Sequence, residues 1–312
     1  MTRLALRRIA VAVSAVAVLG AACAEARPGG GGTPTDPTGP SPSPVTPGIS
    51  HPAGPNDLIL KIEQTGGFVP VQWMLARLPS FALYGDGTLL TLGAQIEIYP
   101  QPALPPVLVQ HLTEDGIQRI LELAEEAGLL GHDAMYMNHC VADVTTTVFT
   151  VVADGGTHVV SAYALGFDEG KNNPCVPENQ VEARKALVEF ESQMADLSKS
   201  LPAGSYDDPQ PWDPTGLRLY VTEGDPSTEP GLNQTEIAWP LEENLAEFGD
   251  PFGENGDPGF GTRCGTVEGD DLATLLPLAQ QATQITPWTS DGKTYGITFR
   301  PLFPDESGCP AV

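Results

Sequence analysis

The sequence predicts an α+β protein of two small modules, each an antiparallel sheet with helices packed on one face. Three observations predict it. Alternating apolar residues flank the turn signals Gly85-Asp86-Gly87 and Asp154-Gly155-Gly156, where Asp and Gly supply the positive φ angles of a tight hairpin. Each hairpin is followed by a stretch with apolar residues three and four apart, the period of an amphipathic helix. A Pro- and Gly-rich interruption at residues 201–216, LPAGSYDDPQPWDPTG, precedes a region with a helix and hairpin of its own. Such clusters mark boundaries.

The first module, residues 56–200, opens with strands in DLILKIEQTGG and in VPVQWMLARLPSFALYGDGTLLTLG. In LTEDGIQRILELAEEAGLLG, Thr113 is placed to cap a helix and Gly116 is a weak point within it. Ile117, Ile120, Leu121, Ala124 and Leu129 face the core, while Glu122, Glu125 and Glu126 face water. The second hairpin runs through VTTTVFTVVADGGTHVVSAYALG. The next helix, VEARKALVEFESQMADL, sets Ala183, Leu187, Phe190, Met194 and Leu197 on one stripe. Two strands, helix, two strands, helix is an order that gives an antiparallel sheet with helices on one face. The stretches FALYGDGTLL, LTEDGIQRILELAEEAGLL and TTTVFTVVADGGTHVVSAY resemble small domains of uncharacterised function in secreted bacterial proteins and lipoproteins. That resemblance spans roughly residues 58–200; it implies the fold and transfers no catalytic residue.

The second module, residues 217–312, offers the strands LRLYVTE and GTRCGTVEG, a helix from about Asp270 to Thr283 and a hairpin through WTSDGKTYGITFRPL. Its helix-then-hairpin order echoes the first module, without a residue-level repeat.

Charge and the first 55 residues bear on location. The 312 residues hold 15 Lys and Arg against 40 Asp and Glu, a formal charge of −25. Nucleic acid is not an expected partner, because phosphate backbones are held by clustered cations. In residues 1–22, Arg3, Arg7 and Arg8 precede an apolar run from Ile9 to Leu19 and the small residues Gly20, Ala21 and Ala22. This is the pattern of a secretory signal, with an apolar core too short to span a bilayer comfortably. The small residues run into Cys23, and the whole resembles the lipobox of bacterial lipoproteins. The resemblance implies a lipid on Cys23 and attachment to the extracytoplasmic face of the cell membrane. Without residues 1–22 the formal charge is −28. Residues 23–55 read as a disordered tether: 16 of residues 24–55 are Gly or Pro, and extended they reach about 100 Å.

Four cysteines follow, Cys140, Cys175, Cys264 and Cys309. In a secreted chain an even number implies disulfides. The hairpin between Cys140 and Cys175 brings both to one end, and Cys264 and Cys309 share the second module, so the expected pairs are Cys140 with Cys175 and Cys264 with Cys309. The competing reading is a metal site at Cys140 with His132, Asp133, His139 and Asp143, but no CxxC pair supports it.

Catalytic motifs are sparse. GFDEGK at residues 166–171 departs from a phosphate-binding loop: its first Gly is one residue too close, and Asn172 stands where Ser or Thr would hold magnesium. Ser290-Asp291-Gly292-Lys293 matches SxxK, yet Asp-Gly predicts a hairpin tip where that chemistry needs a helical turn. From Leu219 to Thr262 the chain has ten acids and no Lys or Arg. This stretch reads as a solvated, turn-rich excursion, or more sharply as a weak calcium site with Asp250, Glu254, Asn255 and Asp257 as hard oxygen ligands, or as a docking surface for a basic partner. The expected function is non-enzymatic binding or association with the envelope. The alternative is an extracytoplasmic hydrolase with an unrecognised site.

Overall fold

Backbone chemistry at the turns sets the strand pairing. The computed structural model describes residues 48–167, 174–227, 231–232, 234–253 and 262–310. The chain enters through β1 (Leu58–Gly66), an exposed short helix α1 (Val71–Ala76), β2 (Phe81–Tyr84) and β3 (Thr88–Leu92). β2 and β3 form the hairpin expected at Gly85-Asp86-Gly87. Gly87 has a φ of 87°, and a Cβ there would lie 2.4 Å from the Leu112 carbonyl oxygen, so no other residue fits this close approach. Next come β4 (Val107–His111), α2 (Glu114–Glu126), β5 (Ala134–Tyr136), β6 (Thr145–Ala153) and β7 (Gly156–Tyr163). The β6–β7 tip holds Asp154 and Gly155 at φ 50° and 76°, the left-handed pair a two-residue hairpin requires. α3 (Val181–Ala195), α4 (Leu197–Ser200) and β8 (Gln210–Pro211) follow.

The strand order is β5-β7-β6-β1-β2-β3-β4-β8. The eight strands meet at six antiparallel joins and one parallel join, that of β5 with β7. The sheet is therefore mixed, where the sequence predicts a purely antiparallel one. The cause is the crossover: α2 carries the chain from β4 to the far edge, and β5 enters from the same end as β7.

All four residues of β2 are buried, because its two faces meet different cores. Phe81 and Leu83, with Leu89, share a cluster with Ile117, Ile120 and Leu121 of α2 and Leu187, Phe190 and Met194 of α3. Ala82 and Tyr84, with Leu90 and Val107, share another with Phe303 from the far end of the chain. The expected helix faces are present: Thr113 caps α2 by accepting from the Gly116 N–H, and Glu122, Glu125 and Glu126 are exposed. Gly116 turns out to be a fit, since a Cβ there would lie 2.7 Å from the Ser205 carbonyl oxygen. One position on α3 was not foreseen. Arg184 is fully buried and donates to the carbonyls of Tyr163 (3.0 Å) and Ala164 (2.8 Å).

The second sheet contains β9 (Gly216–Glu223), β10 (Ile237–Ala238), β11 (Asp250–Phe252), β12 (Thr262–Glu268), β13 (Trp288–Ser290) and β14 (Lys293–Pro301), with α5 (Gly269–Ala279) after β12. Its order is β10-β13-β14-β9-β12-β11, and it too is mixed, β10 running parallel to β13. α5 stops short of Thr283 because the next residues bond elsewhere: Ala282 accepts from the Ala103 N–H (3.0 Å), and Gln284 donates to the Gln101 carbonyl (2.9 Å). The acidic stretch is not simply solvated. It sends Trp239, Leu245 and Phe248 into the second core, where Trp239 lies edge-on to Phe248 at 5.8 Å and to Trp288 at 6.1 Å.

Both sheets belong to one compact unit. The Pro-rich residues 201–216 lie along the first sheet: Leu201 joins its core, β8 pairs with β4, and Trp212 stacks edge-on to Phe303 at 5.5 Å. Residues 49–51, expected in the tether, are held there as well. Gln118 bonds both backbone groups of Ile49, and Asp154 accepts from the Ser50 N–H and hydroxyl.

Candidate functional site

The expected disulfides form. Cys140 joins Cys175 and Cys264 joins Cys309, with Cα atoms 5.3 Å and 6.0 Å apart. The thiolate that a metal site at Cys140 would need is thereby consumed. His139 contributes its backbone N–H to the Cys175 carbonyl, and Asp133 accepts from the Val159 N–H. Among the described residues, no three His, Cys, Asp or Glu side chains gather in a metal-binding group. Asp250 is exposed on β11, opposite Cys264. Glu254, Asn255 and Asp257 lie outside the described residues, as do Cys23 and most of GFDEGK.

Ser290 and Lys293 are cross-strand partners flanking the Asp291-Gly292 turn, whose φ angles are 48° and 73°. The hairpin tip predicted for SxxK is therefore present. The Ser290 hydroxyl accepts from the Leu245 N–H at 3.2 Å, and Lys293 donates to Glu223 at 2.9 Å. That carboxylate holds the Lys293 ammonium above its ordinary pKa, the opposite of what a general base needs. With Glu236, Thr289 and Thr294, the tip lines an open depression of about 510 Å³.

A cluster of charged side chains lies at the C-terminal segment. Both terminal nitrogens of Arg300 donate to the Glu306 carboxylate, its Nε donates to the Arg77 carbonyl (3.1 Å), and Glu306 also accepts from the Phe303 N–H (3.1 Å). Asp305 accepts from the Tyr84 hydroxyl at 2.7 Å and lies 3.6 Å from Lys61 Nζ. Arg218 donates to the Gly308 carbonyl beside Cys309. Burial pushes the Glu306 carboxyl up, but the bonds and charge of Arg300, with the Phe303 N–H, outweigh it and leave it below the usual range. Burial, then the bond to Asp305, pushes the Tyr84 phenol far above its ordinary value. These groups satisfy one another across the two sheets. The bidentate Arg300–Glu306 pair, of the strong kind, lies within the second half of the chain, and the joint to the first sheet is made by Arg300 on the Arg77 carbonyl and by Tyr84 and Lys61 on Asp305.

A different contrast appears at the two ends of the first sheet. Strand registers place the β1–β2 loop (residues 67–80), the β3–β4 loop (93–106), the β5–β6 loop (137–144) and the exit of β7 at one end. There Phe68 is 87% exposed, Trp73 57% and Met74 41%. Ile96, Ile98 and Tyr99 stand out of the second loop, and Phe167 follows β7. The first two loops carry one charged residue each, Arg77 and Glu97. At the opposite end the exposed acids Asp57, Asp86, Glu114 and Asp115 lie around the chain entry and the β2–β3 turn. Asp133, Asp154, Asp207 and Asp208 extend that acidic rim, whose loops hold no Lys or Arg. Sequence reading passed over the apolar end, although its signal was visible: large apolar residues without alternation in loops nearly free of charge.

Among the described residues, no helix is long and apolar enough to cross a membrane. No family model, curated protein or solved structure matches the chain.

Proposed function

We propose that the chain is a bacterial lipoprotein, lipid-anchored through Cys23 on the extracytoplasmic face of the cell membrane, and acts there as a non-enzymatic binding or envelope-associated protein. The observation that carries this reading is the cysteine arithmetic. Of five cysteines, the two disulfides use four, which leaves Cys23 outside both pairs at the end of a signal-like segment. Disulfides persist in oxidising compartments, and an odd cysteine in such a chain calls for chemistry of its own. A weak calcium site at the acidic stretch and a basic protein partner remain parts of this reading. Each sheet carries its helices on one face in this proposal, supported by the shared cluster of α2 and α3.

Cys23→Ala tests the anchor. The variant is expected to leave the membrane fraction or accumulate as uncleaved precursor, because lipidation needs the thiol and the polar segment after it offers no apolar hold. Unchanged fractionation would reject the lipoprotein reading.

A further inference from the structure

We propose that the apolar end of the first sheet seats against the lipid surface of the bilayer. Exposed aromatic and aliphatic side chains stand on separate loops at that end, led by Phe68, Trp73, Ile96 and Tyr99. A scattering of single apolar residues needs no explanation, but clustering at one end of a sheet does. Tryptophan and tyrosine favour the water–lipid interface, where an apolar ring and a polar edge are both accommodated.

Charge sets the orientation. The chain is strongly acidic, and an anionic membrane surface repels it. The acidic rim concentrates that repulsion at the end where the chain enters, whereas the apolar end has Arg77 and Glu97 in its two largest loops and the single acid Asp143 in the β5–β6 loop, with Asp168 and Glu169 following Phe167 in sequence. The apolar end is thus the face on which approach costs least. Reach permits it. β6 has nine residues, about 30 Å of strand, whereas the 24 residues between Cys23 and Gly48 can extend about 75 Å. The far end of the sheet can therefore turn to the membrane on a chain anchored at Cys23. This step rests on the lipoprotein reading for its reach, and the loops themselves can be tested without the anchor.

The experiment uses full-length protein reconstituted in phosphatidylcholine vesicles containing phosphatidylglycerol and bromine-labelled acyl chains, with tryptophan emission as readout. Trp212 is half-buried, and Trp239 and Trp288 are buried, so Trp73 is the ring that reports contact. Bromine-dependent quenching is expected, and Trp73→Phe, a change at an exposed site, is expected to remove most of it. A Cys23→Ser chain without residues 1–22, added to excess vesicles, is expected to show the same quenching on its bound fraction, and Phe68→Ser to weaken that partitioning by about tenfold. Vesicle-bound wild type with unquenched Trp73 would overturn the proposal. Protection of Trp73 from an aqueous quencher without bromine quenching would overturn it too, and would point to a protein covering the loops. If the Cys23→Ser chain partitions as strongly as wild type while Trp73 is quenched, the anchor fails and the lipid contact stands.

Discussion

The two disulfides span similar lengths of chain, 35 and 45 residues, yet they hold different things. Loop closure alone gives both nearly the same stabilisation, roughly 4 kcal/mol in the chain-entropy model. Any difference in what they are worth must come from the folded side. Cys140 is exposed beside the sheet edge while Cys175 is buried, and their bridge fastens a loop. Cys264 is buried in β12, and its bridge fastens the segment that carries Phe303, Asp305 and Glu306 across to the first sheet. Identical covalent chemistry thus secures a loop in one place and the joint between two cores in the other.

That comparison can be broken by experiment. The largest effect is expected from Cys264→Ser with Cys309→Ser: a loss of about 5 kcal/mol by urea unfolding, the upper end for a native bridge, because the joint loosens with it. A loss equal to that of the other pair would show the context to be irrelevant.

Glu306→Gln should cost about 4 kcal/mol at neutral pH, since it leaves the Arg300 guanidinium buried without its counter-charge. The sign of its pH dependence follows from the lowered Glu306 pKa. The pair contributes fully above the ordinary glutamate value of about 4.3 and is lost as pH falls through the lower folded value. Wild type and Glu306→Gln should therefore converge in acid. A constant gap between them from pH 7 to pH 3 would remove the ion pair from the account.

Cys140→Ser with Cys175→Ser is expected to cost about 2.5 kcal/mol and to leave the Arg300–Glu306 pair unaffected, which additive losses in the combined variant with Glu306→Gln would show. Smallest is Tyr84→Phe, at about 1.5 kcal/mol for a hydrogen bond to a carboxylate. Because the folded Tyr84 pKa is raised, its contribution is complete below about pH 10, where unfolded tyrosine ionises, and is lost above it. Alkaline melting curves that stay parallel for the two proteins would contradict this.

Local chemistry was the legible part of the fold. Asp-Gly turns announced three hairpins, and the period of apolar residues placed α2, α3 and most of α5, because these depend on neighbours in sequence. Long-range facts were hidden. Nothing in FALY says which of its residues meets Phe303, more than two hundred positions away, and a strand buried on both faces loses the alternation that reveals a surface. The parallel edge strands β5 and β10 have three and two residues, too few for a pattern. Trp239 and Phe248 were obscured by the acids around them, and Arg184 by the assumption that a helical arginine faces water. For the candidate sites, the cysteine pairing was readable because hairpin topology limits which thiols can meet. The apolar end was only half readable: the large apolar residues and scarce charge of its two largest loops stand in the sequence, but the fact that these loops meet at one end of a sheet does not.

The two-faced burial of β2 also governs what happens when the backbone is cut. A protease reaching exposed Pro202 to Gly204 would sever the Pro-rich connection, but Ala82, Tyr84, Leu90 and Val107 would still be covered by Phe303, and Arg300 would still be tied to Arg77. The nicked protein should run as two fragments on a denaturing gel and as one particle on a sizing column. Expressed alone, residues 56–200 would leave an apolar face open to water, so the second half serves the first as a built-in cover.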